Sequence, residues 1–166
     1  MNTYIRRVQK GDETVLAYIQ TESWKAAFSD LLDAETLARN TDFSKSVRMF
    51  RHLLEENIGN GYLLFVEEKP HCMAYWDAAR DKEFAGKAEL ISIHSLKENR
   101  RKGYGRRMMD YVLKEIRAAG YSEVVLWVFR DNVPARAFYE AGGFHWTGTE
   151  KKALGTTLVL YSLRIE

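Results

Sequence analysis

The chain has 166 residues, 46% hydrophobic and 29% charged, with 25 basic against 23 acidic side chains and a formal net charge of +2. That length suits one domain, residues 1–166, with a substantial core and no room for a second, and the balanced charge neither demands nucleic acid nor excludes it. A single cysteine, Cys72, excludes an intramolecular disulfide and a cysteine-based metal centre, and no run approaches the ~18 apolar residues of a membrane span, so a soluble, cytoplasmic protein without metal or membrane partner is expected.

In chain order, the first residues lack the apolar core of a signal peptide, and residues 4–8 read as a short strand. Gly11-Asp12 marks a turn able to cap a helix carrying Val15, Leu16, Ile19, Trp24, Ala27 and Phe28. The pattern loosens over residues 29–42. Asp42 or Ser44 then caps a second helix through Val47, Phe50, Leu53 and Leu54 to about Asn57. Gly59-Asn60-Gly61 ends it, and residues 62–67, a Glu68-Lys69-Pro70 turn and residues 71–77 read as a hairpin. Residues 88–96 follow as its next antiparallel neighbour.

Met108, Met109, Val112, Leu113 and Ile116 share one face of a helix over residues 105–119, which Gly120 stops. The strand at 124–129 is joined through that helix to residues 88–96, a crossover that makes the two strands parallel. A helix opening at Pro134 leads to a terminal hairpin, residues 144–149 and 156–165, with Gly155 near its turn. That hairpin offers a surface for a homodimer, although no residue pattern requires one.

The segment Arg100-Arg101-Lys102-Gly103-Tyr104-Gly105 lies where a strand turns into a helix. A helix start presents unpaired N–H groups and positive dipole, and glycines let phosphate oxygens approach them. Arg106 and Arg107 add charge. A dinucleotide fingerprint needs a third glycine where Met108 stands. An RNA-recognition strand would continue with aromatic and β-branched residues rather than Arg106-Arg107-Met108-Met109. A P-loop needs Ser or Thr after Gly-Lys. A pyrophosphate site and a merely solvated basic helix start remain.

Arg100, Gly103 and Gly105 fill a pattern similar to motif A of the GNAT N-acyltransferase superfamily, in which Gln or Arg, two residues, Gly, one residue, and Gly or Ala cradle the pyrophosphate of coenzyme A. Residues 132–144, from Asn132 through Tyr139 to Gly143-Phe144, resemble the second signature of that family, and the order of elements resembles its layout over essentially the whole chain. Ser95 and Lys97 stand where the family commonly has Val and Pro. The resemblance implies an α/β fold with a mixed, mostly antiparallel sheet of about seven strands flanked by about four helices. It also implies an acetyl-CoA-dependent N-acetyltransferase acting on a primary amine through a ternary complex.

Under that resemblance, acetyl-CoA is held by Arg100, Arg101, Lys102, Gly103, Tyr104, Gly105 and Arg106 at its pyrophosphate, by the amides around Ile93 and Ser95, and by Asn132. Tyr139 matches the tyrosine that faces the coenzyme A sulfur. A phenol, titrating at about 10, can donate to a nascent thiolate of about 8.5 without being ionised at neutral pH. Glu89, eleven residues before Arg100, has the spacing of the family's catalytic glutamate, and partial burial would raise its pKa toward a useful range. His94 is a second candidate base by chemistry. Five positions from Glu89 on a regular strand, it is expected on the opposite face.

The acceptor, a small-molecule or peptide amine, is read by residues 29–42 and the hairpin loops, where Asp30, Asp33, Glu35 and Asp42 either attract a cation or cap helices. Trp24, Phe28, Tyr75, Trp76 and Trp127 line a pocket or pack the core. Two rival functions stand beside the enzyme: a coenzyme A-binding regulatory module without turnover, and an RNA-binding domain using residues 100–107 with exposed aromatics.

Overall fold

A computed structural model of the protein describes residues 2–99 and 102–166. Its centre is a seven-stranded sheet in the order β1-β2-β3-β4-β5-β7-β6. The strands are β1 (Thr3–Arg7), β2 (Asn60–Val66), β3 (Lys69–Ala78), β4 (Ala88–Ser95), β5 (Glu123–Phe129), β6 (His145–Ala153) and β7 (Thr156–Arg164). Neighbours are antiparallel except β4 and β5, which α4 (Tyr104–Ala118) joins as a parallel crossover. The mixed α/β fold expected from the resemblance is the one observed.

Alternation of β-branched and aromatic residues sorts the strands onto two faces. On one face Met108, Met109, Val112 and Ile116 of α4 bury against Leu64, Ala74, Leu90 and Leu126, and α5 (Val133–Ala141) packs beside them through Phe138 and Tyr139. On the other, Leu16 and Ile19 of α1 (Glu13–Phe28) and Phe50 of α3 (Phe43–Glu55) bury against Leu63, Met73 and Tyr75. Tyr75 lies flat on the sheet because Gly61 has no side chain: a Cβ there would stand 2.5 Å from Tyr75 Cζ and 2.8 Å from Val8 Cγ2. Gly61→Ala is therefore expected to cost about 1–3 kcal/mol by overpacking, read as a lower urea midpoint at unchanged slope.

Three local expectations are corrected. Residues 34–40 form a further helix, α2 (Ala34–Asn40), whose cap is Asp33, accepting from Thr36 N at 2.8 Å and Thr36 Oγ at 2.7 Å. Asp12 precedes α1 without capping it, because its carboxylate takes Arg6 at 2.8 and 3.0 Å and Gln9 N at 2.8 Å. The β2–β3 turn consists of Glu67 and Glu68, both at positive φ, so Pro70 falls inside β3 opposite Phe65, beside an irregularity in the ladder. Cys72 is fully buried, and burial pushes its thiol up to about 12, as befits an inert packing residue.

Candidate active site

The two middle strands pair only at Ala88↔Val124 and Glu89↔Val125. Beyond that point they part, for a reason visible in β4. Trp76 opposes Leu90 and Tyr75 opposes Ser92, so Ile91 is an extra residue without a partner, a bulge that bends β4 away from β5. From there β4 follows β3 while β5 follows β7 as far as Phe129↔Leu158. The bond from Leu96 N–H to the His71 carbonyl fixes the phase of the β3–β4 ladder. In an antiparallel ladder alternate residues turn their peptide groups outward, so those of Ile93 and Ser95 face the opening. The bond from Arg130 N–H to the Thr157 carbonyl likewise turns the peptide groups of Trp127 and Phe129 toward it from β5.

At the carboxyl end of β4 stands the start of α4. Gly103 adopts φ +83, a left-handed conformation suited to glycine. Among the described residues a Cβ there would meet nothing within 4 Å and no side chain caps the helix, which leaves its first turn accessible to an anion from their side. Gly105 serves a different purpose, since a Cβ on it would meet Phe138 Cε1 at 3.3 Å, and its role in the packing is to let α5 approach. Lys102 is exposed. Arg100 and Arg101 lie outside the described residues. The Arg106 side chain does not reach toward the helix start: its guanidinium stacks on Phe138 at 5.2 Å and donates to the Phe138 carbonyl at 3.3 Å. Arg107 donates to the Thr3 carbonyl at 3.3 Å. Asn132 caps α5, accepting from Ala135 N at 3.4 Å.

Tyr139, on α5, packs edge-on against Phe138 and Phe144 and tilted against Tyr161. Burial pushes its phenol above the ordinary value, so it stays protonated, and its hydroxyl makes no hydrogen bond to a described residue. Helix α5 is tied down around it: Arg136 Nε donates to Tyr161 Oη at 2.8 Å, and that phenol donates to Glu140.

The opposite face of the opening holds Glu89 and His94. The bulge at Ile91 inverts the alternation, so Glu89 opposes Asp77 and His94 opposes Met73, four residues apart on β3 and hence on one face. The expectation that they point apart is thus corrected. Ser23 of α1, 5% exposed, places its Oγ 3.4 Å from His94 Nδ1. A serine in line with Leu16 and Ile19 on a buried stripe was the sequence signal for this contact.

Glu89, 5% exposed, accepts three hydrogen bonds from Arg80: the backbone N and Nε at 3.1 Å and Nη2 at 2.7 Å. Burial pushes the carboxyl up, but the Arg80 bonds outweigh it and hold the group below the ordinary carboxylate value. No local pattern announces Arg80, which reaches Glu89 only through the register of β3 on β4. Because the folded pKa is lowered, this pair contributes stability that is present above the unfolded pKa and lost as pH falls through the folded one. Arg80→Ala removes both guanidinium bonds and leaves the buried carboxylate with the backbone N–H of residue 80 and the charge of Lys151. It is expected to cost about 2–3 kcal/mol, less than for a fully buried pair because Arg80 is 64% exposed. The loss should be largest at pH 7 and shrink toward pH 5, as the carboxyl, no longer held ionised by the guanidinium, takes up a proton; urea titrations at the two pH values would measure it.

Beside Glu89, Phe84, Val125, Trp127 and Leu160 form one apolar cluster, and Phe28, Leu32 and Phe129 another, with Trp24 packed on it. Of the acidic residues expected to attract a cation, Asp33 and Asp42 are helix caps and Glu35 pairs with Arg39 at 3.1 Å. Among the described residues no group of three or more His, Cys, Asp or Glu side chains could hold a metal ion, and no helix is long and apolar enough to cross a membrane.

Comparison with solved structures places the fold. A PaiA N-acetyltransferase from Thermoplasma acidophilum, in complex with coenzyme A, superposes with a TM-score of 0.80 at 20% identity, covering 99% of this chain and 100% of that one. The structure of yncA from Salmonella typhimurium, with its cofactor acetyl-CoA, gives 0.76 at 16% identity, covering 100% and 95%. A ribosomal-protein-alanine N-acetyltransferase from Brucella melitensis gives 0.75 at 17%, covering 98% and 99%. A search of curated proteins returned no match. The sequence pattern of the acetyltransferase (GNAT) family matches residues 22–144, a span that takes in the opening between β4 and β5, the α4 start and α5, and the chain belongs to that family.

Proposed function

We propose that the protein is an acetyl-CoA-dependent N-acetyltransferase acting on a primary amine by direct attack in a ternary complex. The observation that carries this reading is the continuity of the opening with the helix start: peptide groups of Ile93 and Ser95 that face the opening lead to the start of α4, where Gly103, just before the helix, leaves room for an anion among the described residues. Two structures of the same fold hold coenzyme A or acetyl-CoA, which supports carrying the ligand over.

Acetyl-CoA supplies the acetyl group as an activated thioester. On this reading the amides from Gly103 to Arg106, with Lys102, Arg100 and Arg101, hold the pyrophosphate, and Asn132 contacts the ligand from α5. Peptide groups of Ile93 and Ser95 bind the pantetheine arm and a carbonyl oxygen. Tyr139 donates the proton that the departing thiolate needs. Of the two candidate bases, Glu89 stays ionised on Arg80 and anchors the β3–β4 connection, whereas His94, held by Ser23, takes the ammonium proton. Acid and base thus work from opposite faces of the sheet. Because coenzyme A thioesters are intracellular metabolites, a cytoplasmic location and a single catalytic domain over residues 1–166 belong to the same reading.

Calorimetric titration with acetyl-CoA, with NADH as control, tests it. Saturable binding of acetyl-CoA alone, followed by acetylation of an amine, is the expected result. Binding without acetylation of any amine would favour the regulatory module, and no binding would discard both.

A further inference from the structure

The face of the opening that carries His94 has a composition that selects among amines. We infer, resting on the acetyltransferase reading above, that the acceptor amine is carried on an aromatic body rather than on a polycationic chain.

The wall is aromatic from one side to the other. Trp24 and Phe28 of α1 meet edge-on at 4.9 Å, and both reach Phe129 of β5, at 6.3 and 4.9 Å. Two residues back on the same face of β5, Trp127 meets Phe84 of the β3–β4 connection at 6.3 Å. Phe28, Phe84 and Phe129 are buried, whereas Trp24 and Trp127 each keep part of the ring in solvent. Trp24 thus offers accessible ring surface beside the strands whose peptide groups face the opening, while Trp127 extends the wall with one ring face under Lys151. Partly exposed indole is suited to stacking a flat apolar group.

Charge points the same way. A polyamine needs several uncommitted carboxylates, since each buried ammonium without a partner is costly. Here Glu89 is bonded to Arg80, Glu22 of α1 pairs with Lys25 at 3.6 Å, and Asp33, Glu35 and Asp42 are committed within their own helices. Asp30 is the remaining acid of the α1–α2 connection and is exposed. Against it stand two cations: Lys151, whose Nζ lies 4.1 Å over the Trp127 ring, and the largely exposed Arg80. One ammonium meets His94 as its base; further positive charges would meet Lys151 and Arg80.

The test uses phenethylamine and spermidine as probes of the purified full chain. Phenethylamine is expected to change tryptophan emission saturably, and to be acetylated with a kcat/KM at least tenfold above that of spermidine. Trp24→Leu should raise the KM for phenethylamine about tenfold while leaving the Kd for acetyl-CoA unchanged. Equal or better use of spermidine overturns the inference, as does an unaltered phenethylamine KM in Trp24→Leu, or acetyl-CoA binding with no emission response to phenethylamine. The emission titration needs no acetyl-CoA. Failure of acetyl-CoA to bind would therefore remove the acetyltransferase reading, while the emission response would still report separately on whether the wall accepts an aromatic amine.

Discussion

Tyr139→Phe is expected to lower kcat by about 10²–10⁴, the usual contribution of a positioned proton donor, while the Kd for acetyl-CoA stays within a factor of two. The argument is that the substitution removes one oxygen and nothing else. The ring keeps its edge contacts with Phe138 and Phe144, and the lost hydroxyl makes no hydrogen bond to a described residue, so folding stability should barely change. Arg136, Tyr161 and Glu140 continue to fix α5. Loss of kcat with an intact Kd identifies an interaction made only as the thiolate leaves. Steady-state kinetics beside calorimetry give both numbers, and an unchanged kcat would remove Tyr139 from the chemistry.

His94→Gln carries the second large effect. An imidazole changes charge between about pH 5 and 8, and only its neutral form can accept a proton. With His94 as base, kcat/KM falls on the acidic side of the wild-type profile. In the variant that limb disappears and the plateau drops by about 10²-fold. Glu89→Gln should keep the limb, because Glu89 is already held ionised by Arg80, and should show its effect in stability instead. A limb lost in Glu89→Gln and kept in His94→Gln would reverse the two assignments.

Much of this architecture could be read from residue order. The strand, glycine and amphipathic-helix succession around α4, and the Asn132 to Phe144 signature, were enough to place the fold. The failures have physical causes. Helix α2 spans seven residues, too few for an apolar period to declare itself. Arg106 looked like a phosphate ligand because a basic residue beside a glycine loop has that meaning locally; its stacking on Phe138 depends on a helix thirty-two residues away. Burial was expected to raise the Glu89 carboxyl, which is instead held below the ordinary value. That inference omitted Arg80, which no spacing rule links to it. Of the acids of residues 29–42, Asp33 and Asp42 each accept from the backbone N–H three residues on, as capping chemistry dictates, and Glu35 pairs with Arg39.

The unpaired Ile91 also bears on how such a protein changes over time. The course of β4 beyond it owes more to the presence of one extra residue than to which residue that is. Removing Ile91 would leave Leu90 and Ser92 adjacent opposite Trp76 and Tyr75, a regular ladder in which His94 still opposes Met73 and keeps its face, while β4 lost the bend that parts it from β5. Substitution can tune this strand gradually. A length change there is all-or-none, because one extra residue either bends the strand or is absent, and the opening between β4 and β5 goes with it.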